Sequence, residues 1–384
     1  MTARRNRQNA TTDRLKVVAG SWFFACCGIS ILGPLAYVTL AHRLPVRRPP
    51  DSARTSSADD VPETVIVATG DPLSGGPVLE MPANQLSDYT FTQIHMAMPV
   101  RITVWAQGES QARRAGRAAF QRISDLVQVL SDYQPESELN RLLETGGVGL
   151  PDRGRVVSHD LLAVLSYSQE VFRLTGGAFD PSAGPLIELW KQARKAKELP
   201  SPSELDIALG RVGFDQIRID SEAGEVRVLR AGVQLDLGAI AKGYIADSAL
   251  QVLRDRGIDS ACIEAGGDFV VGQSPPGTSG WKIDVPVLGA TRLENCGISV
   301  SGDTVQFAEI DSIRYSHVVD PRTGKPLTRR VMAVVIAPLA IQSDALATSA
   351  CILEESEFEQ FADGIPGVRF WRWHLRAKDS KILP

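Results

Sequence analysis

The feature that most restricts this chain is a run of 25 residues, Val17 to Ala41, without one charged side chain. As a helix it would be roughly 37 Å long at about 1.5 Å per residue, enough to cross a hydrocarbon layer about 30 Å thick. Gly33 and Pro34 are compatible with this, since membrane helices tolerate both, and Trp22 and Tyr37 suit the two interfaces. Arg4, Arg5, Arg7, Arg14 and Lys16 precede the run against Asp13 alone, while residues 42–63, rich in Pro, Ser, Arg and Asp, read as a tether. The expected layout is a basic flank (1–16), a transmembrane anchor (17–41), a linker (42–63) and a folded domain (64–384). A cleaved signal peptide ending at Thr39-Leu40-Ala41 is the competing reading, but the apolar run is long for one. A lipoprotein cut at Cys26 or Cys27 fits less well, because apolar sequence continues well beyond them. Arg43, Arg47, Arg48 and Arg54 follow the span, so charge sets orientation only weakly. Export of the large C-terminal part is expected.

The 384 residues, 43% hydrophobic and 22% charged, suffice for one large or two ordinary domains with real cores. A net charge of −4 offers no general basic field, which argues against nucleic acid as a partner. Cys262, Cys296 and Cys351 form no CxxC or Cys/His cluster and read as small buried hydrophobes, with one disulfide left open.

Helices and strands interleave. Gln93–Ala106 is β-rich and reads as a strand, and Gln111–Leu130 places Ala115, Ala119, Ile123, Leu126 and Leu130 at helical spacing. Ser158 suits the N-cap of a helix through Leu174, with Gly176-Gly177 as its stop. A rigid irregular segment, Ala178 to Pro185, precedes a short helix over 203–210 and strands at 216–219, 225–229 and 233–235. Strands at 260–263 and 332–337 and a helix opening at Ser343 complete an α+β or α/β pattern.

Four segments carry candidate chemistry. Ile298 to Ser301 ends on Ser301-Gly302-Asp303, a turn able to present N–H groups to an anion. A second run, Ile313–Val319, delivers His317 and Asp320 to a break made by Pro321 and Gly324; a long β-hairpin with polar ends is the plainer reading. Asp236 to Tyr244 is a strand-to-helix turn of the kind that binds phosphate, although neither GxxxxGK[ST] nor GxGxxG is present and simple packing explains it equally. Asp344 and Thr348 share one helix face, either as a solvated edge or as part of a hard-cation site.

Taken in order, Phe179-Asp180-Pro181…Gly184-Pro185, Asp236-Leu-Gly-Ala-Ile-Ala-Lys242-Gly243, Gly266-Gly267-Asp268, Ser301-Gly302-Asp303, His317…Asp320-Pro321-Arg322-Thr323-Gly324 and Asp344-Ala-Leu-Ala-Thr348 resemble the ApbE family. These are flavin transferases that move FMN from FAD onto a threonine of a target protein, and the resemblance covers about residues 91–353. It implies an α+β fold of two packed lobes, with mixed, mainly antiparallel sheets and flanking helices, FAD between the lobes and one transmembrane helix in front. It implies FAD contacts from Met96, Tyr133, Ala178, Phe179, Asp180, Asp236 and Lys242, beside the Ser301-Gly302 turn. It implies Mg²⁺ on Asp344, Thr348 and the Ala239 carbonyl. His317 would deprotonate the acceptor with Asp320 orienting it, or the two would exchange roles, since histidine ordinarily titrates near neutrality. The implied partner is a membrane redox protein on the periplasmic side of the cytoplasmic membrane. Two departures stand out: Met96-Ala97-Met98 replaces the family's Met-Gly-Thr, and Ala239 replaces a second glycine. FAD hydrolysis to FMN and AMP, or flavin binding without catalysis, are the alternatives.

Overall fold

The computed structural model describes residues 66–67, 86–144, 154–302 and 307–375. The expected flank, anchor and linker, and Asp303, lie outside these residues. Among the described residues no helix is long and apolar enough to cross a membrane.

An eight-stranded sheet organises the chain. Its strands are β1 (Ile66–Val67), β2 (Ser87–His95), β3 (Met98–Ala106), β4 (Ala261–Ala265), β5 (Asp268–Val271), β6 (Cys296–Gly302), β7 (Val331–Ala337) and β8 (Arg369–His374), side by side in chain order. Every neighbouring pair is antiparallel, and so are the pairs of the smaller sheets. The expected mixed sheets are therefore purely antiparallel among the described residues. Each excursion returns to the edge it left, so no right-handed parallel crossover is required.

The longest excursion, between β3 and β4, carries α1 (Glu109–Leu130), α2 (Glu138–Glu144), α3 (His159–Leu174), α4 (Gly184–Ala196), α5 (Pro202–Leu209) and α6 (Ala241–Arg254). Between β7 and β8 lie α7 (Ala340–Ile352) and α8 (Glu355–Asp363). The stripe Ala115, Ala119, Ile123 and Leu126 of α1 is buried as its spacing requires. The Ser158 side chain accepts the Leu161 N–H at 3.2 Å, capping α3. β7 is buried along its whole length because both its faces are covered. Val331, Ala333 and Val335 join the core beneath the helices, while Val334 and Ile336 meet Trp281, Ile283, Val285 and Leu293 of a separate hairpin.

Three expectations are corrected. Gln93–Ala106 is a hairpin, with β2 and β3 joined at Met96-Ala97, whose φ angles are 51° and 58°. Those residues lack the Asn-Gly signature of a two-residue turn, so the sequence concealed it. Residues 233–235 form no strand, although Val233 and Leu235 are buried. The run 313–319 breaks into Ile313–Ser316, paired with Phe307–Ile310, and Val319–Asp320, paired with Lys325–Pro326. The long hairpin reading therefore fails, since β6 pairs with β5 and β7 instead.

The Met96-Ala97 turn yields a first expected result. A left-handed backbone costs an L-residue about 1–2 kcal/mol, and glycine's looser unfolded chain gives back about 0.5–1 kcal/mol of that relief. Ala97→Gly should raise unfolding stability by about 0.5–1 kcal/mol, read from urea midpoints. A loss of stability would show that the methyl group packs favourably.

Cys262, Cys296 and Cys351 are free thiols. Cys262 and Cys296 both stand opposite Val271, one on each side. Two strand spacings, about 9.5 Å, separate them, beyond the reach of a disulfide.

Candidate active site

Helices α6 and α7 bring the central charges together. Asp344 is 2% exposed, so it is no solvated edge. Its Oδ1 accepts Lys242 Nζ at 2.7 Å and its Oδ2 accepts the Gly243 N–H at 3.0 Å. Lys242 Nζ also lies 3.3 Å from Asp268 Oδ2 and donates to the Gly238 carbonyl at 3.1 Å. Asp268 Oδ1 accepts the Val300 N–H at 3.1 Å. One ammonium is thus shared by two carboxylates from β5 and α7. Burial works against a charged Lys242, but Asp344 and Asp268 outweigh it and hold the ammonium above lysine's ordinary pKa. Burial, reinforced by the Asp344 charge, pushes Asp268 up to about 6 against the pull of Lys242. Two carboxylates on one ammonium leave a negative charge unbalanced, which is the electrostatic condition for a cation.

One turn along α7, Thr348 Oγ1 stands 3.1 Å from Ser301 Oγ, at the end of β6 beside Gly302. Among the described residues no group of three or more His, Cys, Asp or Glu is gathered. The Asp344 carboxylate and the Thr348 hydroxyl, one turn apart on α7, are nevertheless oxygen donors of the kind a hard cation takes. Each Asp344 oxygen keeps acceptor capacity beyond the bond it makes. The chemistry of these oxygen donors fits a hard divalent cation.

A second cluster surrounds Asp236 in the turn before α6. Its N–H donates to the Pro181 carbonyl at 2.7 Å and its Oδ1 accepts the Gly238 N–H at 2.7 Å. This links the lysine turn to the segment after α3. There Asp180 Oδ1 accepts the Ser182 N–H at 2.7 Å and the Ser182 hydroxyl at 2.6 Å, and burial raises its pKa. Ala178 and Phe179 are buried in the main core. Tyr133, 77% exposed, offers an open ring face with Lys191 Nζ 5.5 Å from its centroid. Met96 packs partly against the core at its tight turn. A Cβ on Gly266, where φ is +61°, would lie 2.7 Å from Met98 Sδ, so the thioether occupies the space that glycine leaves.

Burial, then the charge of Asp236, raises Asp132 to about 6, and burial also raises Asp236. A carboxyl whose folded pKa exceeds its unfolded value of about 3.9 contributes stability fully present below pH 4. That contribution is lost as pH rises through about 6. Asp132→Asn should therefore flatten the fall in urea midpoint between about pH 4 and 6. An unchanged slope would show that Asp132 ionises freely.

His317 and Asp320 lie on the excursion between β6 and β7. His317 is half-buried in the bend between the two short hairpins. Asp320 is engaged by Arg322, whose N–H and Nε reach Oδ1 at 2.9 and 3.0 Å and whose terminal nitrogen reaches Oδ2 at 3.0 Å. Arg322 continues to Glu357 of α8 at 2.8 Å. The turn is anchored from α4 by Trp190 Nε1, which donates to the Gly324 carbonyl at 2.8 Å. Asp320 is thus held by an arginine that the sequence left without a role. Asp268 likewise enters from the sequence only as the end of the Gly266-Gly267-Asp268 motif, because nothing in linear spacing ties it to Lys242.

Comparison with known proteins identifies the family and the fold. A protein of Treponema pallidum named FAD:protein FMN transferase is 29% identical over 311 residues, spanning 74% of this chain and 84% of the relative. The ApbE protein of Thermotoga maritima superposes with a TM-score of 0.64 at 27% identity, over 74% of this chain and 93% of its own. The Pseudomonas stutzeri flavinyl transferase ApbE, in its apo form, shares the fold with a TM-score of 0.66 at 23% identity, over 78% and 98%. The model of the ApbE family matches residues 96–370, a stretch that contains every charged, hydroxyl and backbone group placed in the site above, and the chain belongs to that family.

Proposed function

We propose that this chain transfers the FMN moiety of FAD to a threonine hydroxyl of a target protein and releases AMP. The observation that carries the reading is the buried Asp344–Lys242–Asp268 cluster beside the Ser301–Thr348 hydroxyl pair, in a member of a family whose relatives are named for this reaction.

Asp344, Thr348 and the Ala239 carbonyl would hold Mg²⁺, which when bound would neutralise oxygens of the FAD pyrophosphate. The protein's own work is positioning and proton transfer. Lys242 supplies a fixed positive charge to the diphosphate, and the Ser301-Gly302 turn offers it hydrogen bonds. Met96, Tyr133, Asp180 and Asp236 orient the nucleotide around the turn before α6, with Ala178 and Phe179 supporting from the core. His317 takes the proton of the threonine hydroxyl as its oxygen bonds to the FMN phosphorus. The phosphorus–oxygen bond to AMP breaks, and AMP leaves with the electron pair. Asp320, held by Arg322, keeps the His317 loop in place.

Residues 17–41 anchor the chain in the cytoplasmic membrane, residues 42–63 tether the domain, and the domain works on the periplasmic side on membrane redox proteins. A reporter fused after Pro384 should signal from outside the cytoplasm; a cytoplasmic signal would defeat this topology.

Supplying FAD and Mg²⁺ with and without a threonine-bearing target tests the reaction. Covalent flavin on the target is the expected result. Free FMN in either case would make the protein a FAD pyrophosphatase. Bound but unaltered FAD would make it a flavin-binding module, a reading that Met98, lacking the family's hydroxyl, keeps open.

A further inference from the structure

Ile240 and Leu339 occupy the N-cap positions of α6 and α7, and neither side chain bonds to its helix. Within α7 only the Leu339 N–H is capped locally, by Gln342 Oε1 at 3.2 Å. Further N–H groups of both first turns are satisfied in trans, each by a carboxylate of the other helix. Asp344 of α7 accepts the Gly243 N–H of α6 at 3.0 Å. Asp247 of α6 accepts the Ala340 and Ile341 N–H groups of α7, both at 2.9 Å, one on each oxygen. The crossing is close: a Cβ on Gly243 would lie 2.2 Å from the Ala340 carbonyl oxygen, and one on Gly297 of β6 would lie 2.3 Å from Ala340 Cα. Backbone on two sides and a bidentate carboxylate on the third thus hold the start of α7.

Asp344 is one turn from that point and Thr348 two. We propose that Asp247 is a positioning residue for the cation site: by gripping the first turn of α7, it fixes where Asp344 and Thr348 stand. The inference rests on the reading of Asp344 and Thr348 as cation ligands given above. Asp247 makes no hydrogen bond to Asp344 or Thr348; its carboxylate repels that of Asp344, and its grip on the Ala340 and Ile341 N–H groups acts through the helix backbone. Its carboxylate is well suited to this, since two N–H groups at a helix start present a positive end to a negative charge. Asparagine is a near-isosteric replacement that keeps one acceptor oxygen but turns an amide group toward the second N–H. It should loosen the grip without removing the side chain.

The test is calorimetric titration of the full chain with Mn²⁺ alone, on the wild type, on Asp247→Asn, Asp247→Glu and Asp344→Ala, and on the Asp247→Asn/Asp344→Ala double variant. The expected result is a loss of Mn²⁺ affinity of about 10- to 100-fold in Asp247→Asn, the usual effect of removing a group that orients a ligand. Asp247→Glu, which retains both acceptor oxygens, should recover part of that loss. In the Asp344→Ala background, Asp247→Asn should change the remaining affinity by less than about twofold, because its effect passes through Asp344. Mn²⁺ affinity in Asp247→Asn within twofold of wild type, with only the thermal midpoint lowered, would overturn the proposal and leave a purely structural cap. Absence of any Mn²⁺ binding to the wild type would overturn it as well. Failure of FMN transfer by a wild type that binds Mn²⁺ would instead count against the proposed reaction and leave this comparison standing.

Discussion

Replacing Asp344 with alanine should abolish detectable FMN transfer and lower the thermal midpoint at the same time. The two losses have separate causes. Activity falls because the only carboxylate among the proposed Mg²⁺ ligands is gone, and FAD's phosphate oxygens lose the charge that neutralises them. Stability falls because Asp344 is buried and shared: its removal strips Lys242 of its 2.7 Å partner and leaves the Gly243 N–H without an acceptor. Breaking a buried ion pair costs about 3–5 kcal/mol when the surviving charge is left alone. Here Asp268 still faces Lys242 at 3.3 Å, so the lower end applies, about 3 kcal/mol. For a domain of this size that is a fall of roughly 5 °C. Asp344→Asn, which keeps an acceptor for Gly243, should recover part of the midpoint and none of the activity. A variant that stays as stable as wild type would show that Lys242 rearranges onto Asp268 alone. Turnover unchanged across a Mg²⁺ titration would remove Asp344 from the cation site.

That double loss was not legible from the sequence. Asp344 and Thr348 four residues apart predict a shared face but not which way it points, and α7, reading Ala-Ile-Gln-Ser-Asp-Ala-Leu-Ala-Thr-Ser-Ala-Cys-Ile, has no clear polar side. It is buried nearly all round, and only the fold shows that its carboxylate meets an ammonium. Periodicity was sufficient where one face alone is buried, as in α1, and capping chemistry where the cap is local, as at Ser158 of α3. Both fail when the partner is remote in sequence. Asp247 caps a helix 93 residues further on, Asp268 shares a lysine 26 residues before it, and Met96-Ala97 makes a left-handed turn without a turn residue. The ordered motifs located the site, because they gather the backbone breaks that surround it. Its electrostatics came from distances that spacing does not encode.

Replacing His317 with alanine should leave FAD affinity close to wild type and lower transfer by a factor on the order of 10²–10⁴, the usual worth of a general base. The position supports the role. His317 sits half-buried in a bend between two short hairpins, on a segment held from two sides, by Trp190 of α4 on the Gly324 carbonyl and by Glu357 of α8 on Arg322, and braced within its turn by Arg322 on Asp320. A loop fixed this firmly keeps a side chain in place for a proton transfer, and the same fixation means that losing one imidazole need not loosen it. A purely structural histidine makes a different forecast: about 1 kcal/mol of stability lost with its hydrogen bond and transfer nearly normal. FAD affinity, thermal midpoint and covalent flavinylation measured on one variant separate the two. Asp320→Ala sharpens the distinction, because it leaves Arg322 with Glu357 alone and should loosen the loop. If Asp320 only supports His317, that variant loses both midpoint and transfer, whereas His317→Ala loses transfer alone. Transfer at the wild-type rate in His317→Ala would return the histidine to a structural role and move the base to Asp320 or Asp303.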